Sequence, residues 1–150
     1  MKLVIHKECD LRLPRRALCE LARLIGRAEK KPARTAINLI VTNDRRLRNL
    51  NRDYRKLDKS TDVLSFTYPV LKSSDLLGEV YISAQRVRSQ AREIGHSASA
   101  EALRLTCHGL LHILGYDHKT PGQTRRMHQC EKRYLRALKR NSPSSPNTIV

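Results

Sequence analysis

Leu77-Gly-Glu-Val-Tyr-Ile-Ser83 runs without a break into Ala84-Gln-Arg-Val-Arg-Ser-Gln-Ala-Arg-Glu-Ile94, and Gly95 follows. The first seven residues are rich in the β-branched and aromatic types that fit a pleated surface. From Ala84 the period becomes helical, with Val87, Ala91 and Ile94 in register. Gly95 suits the left-handed position just past a helix end. Strand and helix are thus joined directly, and the fold class read from this stretch is α+β.

The same alternation extends outward. Toward the N-terminus, Val63 to Tyr68 reads as another strand, separated from Leu77 by a surface loop containing Pro, Ser and Asp. Ala36 to Thr42 alternates Ile37, Leu39 and Val41 toward one face, after which Thr42 or Asn43 can cap a helix carrying Leu47, Leu50 and Tyr54. Lys2 to His6 reads as a first strand, and Pro14 opens a helix whose apolar positions are Ala17, Leu18, Leu21, Ala22, Leu24 and Ile25. Toward the C-terminus, Ser97 or Ser99 can cap the most apolar helix, through Leu105, Leu110, Leu111 and Leu114 to Gly115. A last helix from about Gly122 to Lys139 packs Met127, Cys130, Tyr134, Leu135 and Leu138. The expectation is one domain over residues 1–140 with roughly four strands flanked by helices. Residues 141–150 are too polar and proline-rich to stay ordered.

Within the most apolar helix lies His108-Gly-Leu-Leu-His112-Ile-Leu-Gly115-Tyr-Asp-His118, which holds half of the six histidines. Imidazoles at i and i+4 are rotated by about 40° and separated by about 6 Å along the axis, so both can face one ion. Gly115 can turn the chain sharply and return His118 to the same point. Three imidazoles with an open fourth position describe a catalytic zinc site, because structural zinc is usually closed by four ligands and leans on Cys. That places the zinc site at the C-terminal end of a central helix. Asp117 is either a carboxylate that orients a ligand imidazole or an exposed turn residue. Cys107, about 100° around the helix from His108, is expected to pack.

The spacing H-x-x-x-H-x-x-G-x-x-H is also that of metzincin proteases, so a zinc metallopeptidase is a rival reading. Where those enzymes carry the glutamate general base, this chain has Gly109, which can neither take nor give a proton.

The 150 residues include 30 Lys plus Arg against 14 Asp plus Glu, a net charge of +16. Residues 43–59 hold seven basic residues, Arg55 among them, against three Asp, and residues 119–140 hold eight against Glu131 alone. Such a field favours a polyanionic partner, and nucleic acid suits it better than a generic peptide. With five Tyr, one Phe and no Trp, a base-stacking platform is not expected. The six glycines stand singly, which excludes a glycine-rich phosphate loop and with it a nucleotide cofactor. The four cysteines form no C-x-x-C pair and are expected to be reduced, packed thiols. No apolar run is long enough for a membrane span or a signal-peptide core, so the expected location is the cytoplasm, with no membrane partner.

Taken together these residues resemble the YbeY family of bacterial rRNA maturation factors, which are single-domain zinc-dependent endoribonucleases. The resemblance rests on the segment from His108 to His118, on Leu50-Asn51 with Tyr54-Arg55, and on Thr61-Asp-Val-Leu-Ser-Phe66. Gly78-Glu79-Val80 stands where the family commonly has Gly-Asp-Ile, and Gly95-His96-Ser97, Glu101, Met127 and Glu131 also fall at family positions. Ser60 stands where proline is frequent. The match covers roughly residues 43–131.

The resemblance implies a mixed sheet flanked by helices, with one zinc per chain held by His108, His112 and His118 in a basic cleft. Arg55 would be the basic catalytic residue near the scissile phosphate. It also implies a single-strand-specific endoribonuclease that matures the 3′ end of small-subunit rRNA and acts in ribosome quality control, with rRNA and ribosomal particles as partners. His96 would assist proton transfer, contact substrate or simply pack. A non-catalytic ribosome assembly factor, in which zinc only holds the fold, is a third reading.

Overall fold

A computed structural model describes residues 1–55, 61–69 and 74–141. The β-branched runs form four strands, β1 (Lys2–Lys7), β2 (Ala36–Thr42), β3 (Val63–Thr67) and β4 (Leu76–Ser83), in one sheet of order β1-β2-β4-β3. β1, β2 and β4 are parallel, and β3 pairs antiparallel with β4, so the sheet is mixed and β3 lies at an edge. Between and after the strands come helices α1 (Arg15–Ala28), α2 (Asp44–Arg55), α3 (Ala84–Ile94), α4 (Ala98–Ile113) and α5 (Pro121–Arg140). The architecture is α+β, as the sequence implies. The polar C-terminal tail, beyond Asn141, lies outside the described residues.

Alternation along the strands builds two cores. Ile37, Leu39 and Val41 of β2 and Val80 and Ile82 of β4 join Leu18, Leu21 and Ile25 of α1, Leu105, Leu110 and Leu111 of α4, and Met127 and Tyr134 of α5. On the opposite face Leu47 and Leu50 of α2 meet Leu64, with Phe66 and Tyr81 packed against them. Ile40 is buried as well, because an interior parallel strand is covered on both faces. Each fully buried leucine contributes about 1.5–3 kcal/mol relative to exposure.

Tyr54 departs from its expected place on the buried stripe of α2: it is 70% exposed. That stripe ends at Leu50 and Asn51, and the Tyr54 ring instead meets Phe66 edge-on, with centroids 5.7 Å apart.

The helix starts follow their side chains. Asn43 Oδ1 accepts from the Arg46 N–H at 2.8 Å, and Ser97 rather than Ser99 caps α4, accepting from the Ala100 N–H at 3.0 Å. Thr120 and Gln123 form a reciprocal capping box ahead of Pro121. Each cap is worth about 1 kcal/mol.

α4 approaches the sheet closely at Gly109. A Cβ there would lie 2.5 Å from Val80 Cγ1, and Ser65 Oγ donates to the Gly109 carbonyl at 3.1 Å. No side chain fits at this position without displacing β4 or the helix.

The first turn of α4 buries Glu101, whose side chain is 0% exposed. Arg104 donates to it through Nε at 2.9 Å and Nη2 at 2.6 Å, and His96 Nε2 lies 2.8 Å away. Burial works to raise the Glu101 pKa, but the bonds from Arg104 and His96 outweigh it, so the carboxyl titrates below its ordinary value. A depressed folded-state pKa contributes stability above the unfolded value and loses it as pH falls through the folded one. Glu101→Gln should therefore cost about 1–3 kcal/mol at neutral pH. In urea denaturation followed as a function of pH, the gap between parent and variant should narrow once the pH drops below the carboxylate range; a gap independent of pH would refute the charged pairing.

Candidate metal centre

His108 and His112 project from consecutive turns of α4, and the helix ends one residue later at Ile113. Gly115, at φ 105°, then reverses the chain. Its N–H donates to the His112 carbonyl at 3.1 Å and that of Tyr116 to the Leu111 carbonyl at 3.0 Å, a Schellman closure that only a left-handed residue completes without strain. Asp117 and His118 follow, and His118 lands beside the helical pair. One ligand nitrogen from each of the three histidines lies within 4.8 Å of the other two, and ring centroids are 4.8 Å (His108–His112), 4.9 Å (His112–His118) and 5.9 Å (His108–His118) apart.

The donor set fits a metal ion. Burial first, then the proximity of His108 and His118, lowers the pKa of His112, favouring the neutral imidazole that a metal requires. His108 Nδ1 faces Glu131 Oε1 at 2.5 Å, which pins the ring and leaves Nε2 as its remaining ring nitrogen. Three nitrogens beside an open cleft, with no thiolate among them, match the donor chemistry of a catalytic zinc site. Cys107 is fully buried in the core, and burial pushes its thiol pKa up.

The cleft beside the histidines has a volume of about 690 Å³. Asn51 and Arg55 of α2, Asp62 and Ser65 from the β3 region, and Asp117 and Lys119 beyond α4 line it with the three histidines. Arg55 Nη2 donates to the Ser65 carbonyl at 2.9 Å, and the guanidinium carbon lies 5.9 Å from the Phe66 ring centroid. Arg55 therefore reaches the cleft from the helix opposite the histidines.

Asp117 is drawn into the turn: its Oδ1 accepts from the His118 N–H at 2.8 Å, a bond that lowers its pKa. The carboxylate that meets one of the three imidazoles is Glu131. Sequence reasoning noted Glu131 only as a family position, although a usable signal was present. It falls on the stripe Met127, Glu131, Tyr134, Leu138, all buried, and a carboxylate on an apolar stripe needs a partner. His96 does not line the cleft; Glu101 holds it at the start of α4.

An α+β frame with three imidazoles converging on a cleft defines a candidate three-histidine metal centre. A family model described as "Endoribonuclease YbeY" matches residues 6–139, and the chain belongs to that family. A Synechocystis protein named endoribonuclease YbeY is 40% identical over 117 residues, covering 71% of this chain and 65% of that protein. Its Carboxydothermus hydrogenoformans counterpart is 41% identical over 102 residues, covering 68% and 71%. The chain thus spans about two thirds of these relatives' length. The solution structure of TM1509 from Thermotoga maritima superposes with a TM-score of 0.60 at 28% identity, covering 95% of this chain and 94% of that one.

His112→Ala should fail to retain a full equivalent of zinc through dialysis. Glu131→Gln, which keeps the volume but weakens the bond to His108, should lose about 10–100-fold in zinc affinity. Chelator competition measures both, and a parent-like affinity in Glu131→Gln would remove that carboxylate from the site.

Proposed function

We propose that this chain is a zinc-dependent endoribonuclease of the cytoplasm, specific for single-stranded RNA. Its substrate is small-subunit rRNA, in 3′-end maturation and in ribosome quality control. One juxtaposition carries the reading: the three histidines and Arg55 face each other across a single cleft. Membership of the YbeY family supports RNA as the substrate class, and the net charge of +16 supports a polyanion whose affinity falls steeply with salt. No helix among the described residues is long and apolar enough to cross a membrane.

His108, His112 and His118 would hold one zinc ion per chain. Bound there, zinc would supply Lewis-acid polarisation of a phosphoryl oxygen and a lowered pKa for water. Arg55 presents its forked N–H donors to the phosphate and offsets the charge that grows on it in the transition state. Glu131 keeps the His108 ring fixed, Asp117 holds the His118 backbone, and His96 is assigned to packing at the start of α4. A peptidase would need a general base directly after the first histidine, and position 109 has no room for one against Val80. Water and the RNA 2′-hydroxyl are both compatible nucleophiles; a 2′,3′-cyclic phosphate on the product assigns the hydroxyl, and a 5′-phosphate opposite a 3′-hydroxyl assigns water.

Zinc-loaded protein should cut an end-labelled small-subunit rRNA fragment, and Arg55→Ala at the same zinc content should not. Arg55→Lys keeps the charge without the fork, so turnover should fall about 10²–10³-fold with little change in RNA binding. Full turnover in Arg55→Lys would overturn the role given to Arg55; no cutting by the parent on free or ribosome-bound rRNA would overturn the nuclease reading.

A further inference from the structure

Two of the three histidines are carried by α4, but His118 is not: its position depends on where the excursion from Gly115 lands. The Schellman closure fixes the excursion only as far as the Tyr116 N–H. Beyond it, the Tyr116 side chain leaves the cleft and reaches α1. Its hydroxyl donates to the Glu29 carboxylate, 3.1 Å from Oε1 and 3.2 Å from Oε2. Glu29 is the C-cap residue of α1, and its own N–H donates to the Ile25 carbonyl at 2.8 Å. α1 is in turn anchored by Leu18, Leu21 and Ile25, all 0% exposed. The same carboxylate accepts from Tyr134 Oη of α5 at 2.5 Å, and the Arg126 guanidinium lies 5.6 Å over the Tyr116 ring. After Tyr116, His118 is held locally, by Asp117 on its N–H and by Thr124 Oγ1 donating to its carbonyl at 3.3 Å.

We propose that Tyr116 and Glu29 are a positioning pair for the metal centre, through which α1, an element with no residue in the cleft, sets the place of the third histidine. The inference rests on the reading of His108, His112 and His118 as metal ligands. Neither member of the pair is itself one of them. The two tyrosines on Glu29 have different duties. Tyr134 sits inside α5 at 2% exposure, so packing fixes its backbone, and its bond to Glu29 adds stability without placing the turn. Tyr116 sits in a turn, its ring packed against the main core, and its hydroxyl ties that turn to the end of α1. Burial and the Glu29 hydrogen bond push the Tyr134 phenol up to about 12, so it stays a donor at neutral pH.

The test is zinc affinity of the full chain by chelator competition, with the urea midpoint of each metal-free variant measured beside it. Tyr116→Phe should weaken zinc binding about tenfold, within the range seen when groups behind metal ligands are removed. Glu29→Leu should weaken it equally. The double variant should be no worse than either single one, since both remove one interaction. Glu29→Gln keeps an acceptor oxygen and should restore most of the affinity. Tyr134→Phe should lower the urea midpoint yet leave zinc affinity unchanged. Parent-like affinity in Tyr116→Phe, or an equal loss in Tyr134→Phe, would overturn the pair while leaving the three-histidine centre intact. A parent chain that takes up no zinc overturns the centre and the pair together.

Discussion

The contact on which the arrangement depends is the one between α4 and the sheet at Gly109. Position 109 points at Val80, and at about 100° per residue His108 and His112 are turned about 100° and 60° from that direction, on the same flank of the helix. Both imidazoles therefore look sideways along the sheet surface, toward β3 and α2, and the cleft lies beside the helix. A side chain at 109 would lift α4 from β4 and rotate or separate this flank from Arg55. The absence of a side chain, which reads in the sequence as a missing catalytic base, is in the structure a packing requirement.

The scarcity of acidic residues has a structural counterpart. Glu101 gathers Arg104 and His96 at the start of α4, Glu131 meets His108 across from α5, and Glu29 receives two tyrosine hydroxyls from different parts of the chain. Each of these carboxylates is turned inward to hold a ring, a guanidinium or a hydroxyl. Buried charge is tolerated only with such partners. These three acids are committed to internal bonds, while others such as Glu20, Asp53 and Asp75 pair with arginines at the surface, and the chain keeps a net charge of +16.

Much of the local structure was legible in the sequence because its causes are local. Gly95 takes φ 83° at a helix end, Ser97 and Asn43 act as caps, and the change of period at Ser83–Ala84 is the observed strand-to-helix junction. The i, i+4 histidines and the glycine after them brought the third histidine back as expected from helix geometry. What was not legible depends on distant partners. The strand order β1-β2-β4-β3 leaves no periodic trace, since alternation reports which face is buried and not which strand is adjacent. Tyr54 has the spacing of a buried residue, but the stripe it extends has already left the sheet. Glu131 and Glu29 acquire meaning only when α5 and α1 are packed beside the end of α4.

Edge strands carry a further consequence for a sheet of this order. Along β3, residues 62, 64, 66 and 68 exchange their hydrogen bonds with β4, as the Ser83 N–H to Asp62 carbonyl and Tyr68 N–H to Leu77 carbonyl bonds show. The carbonyl of Ser65 therefore points outward, where an open edge can template pairing with another chain. Arg55 occupies that carbonyl and sets a guanidinium, with its bulk and charge, across the middle of the strand. The side chain that reaches the cleft thus also occupies one pairing position on the edge of β3.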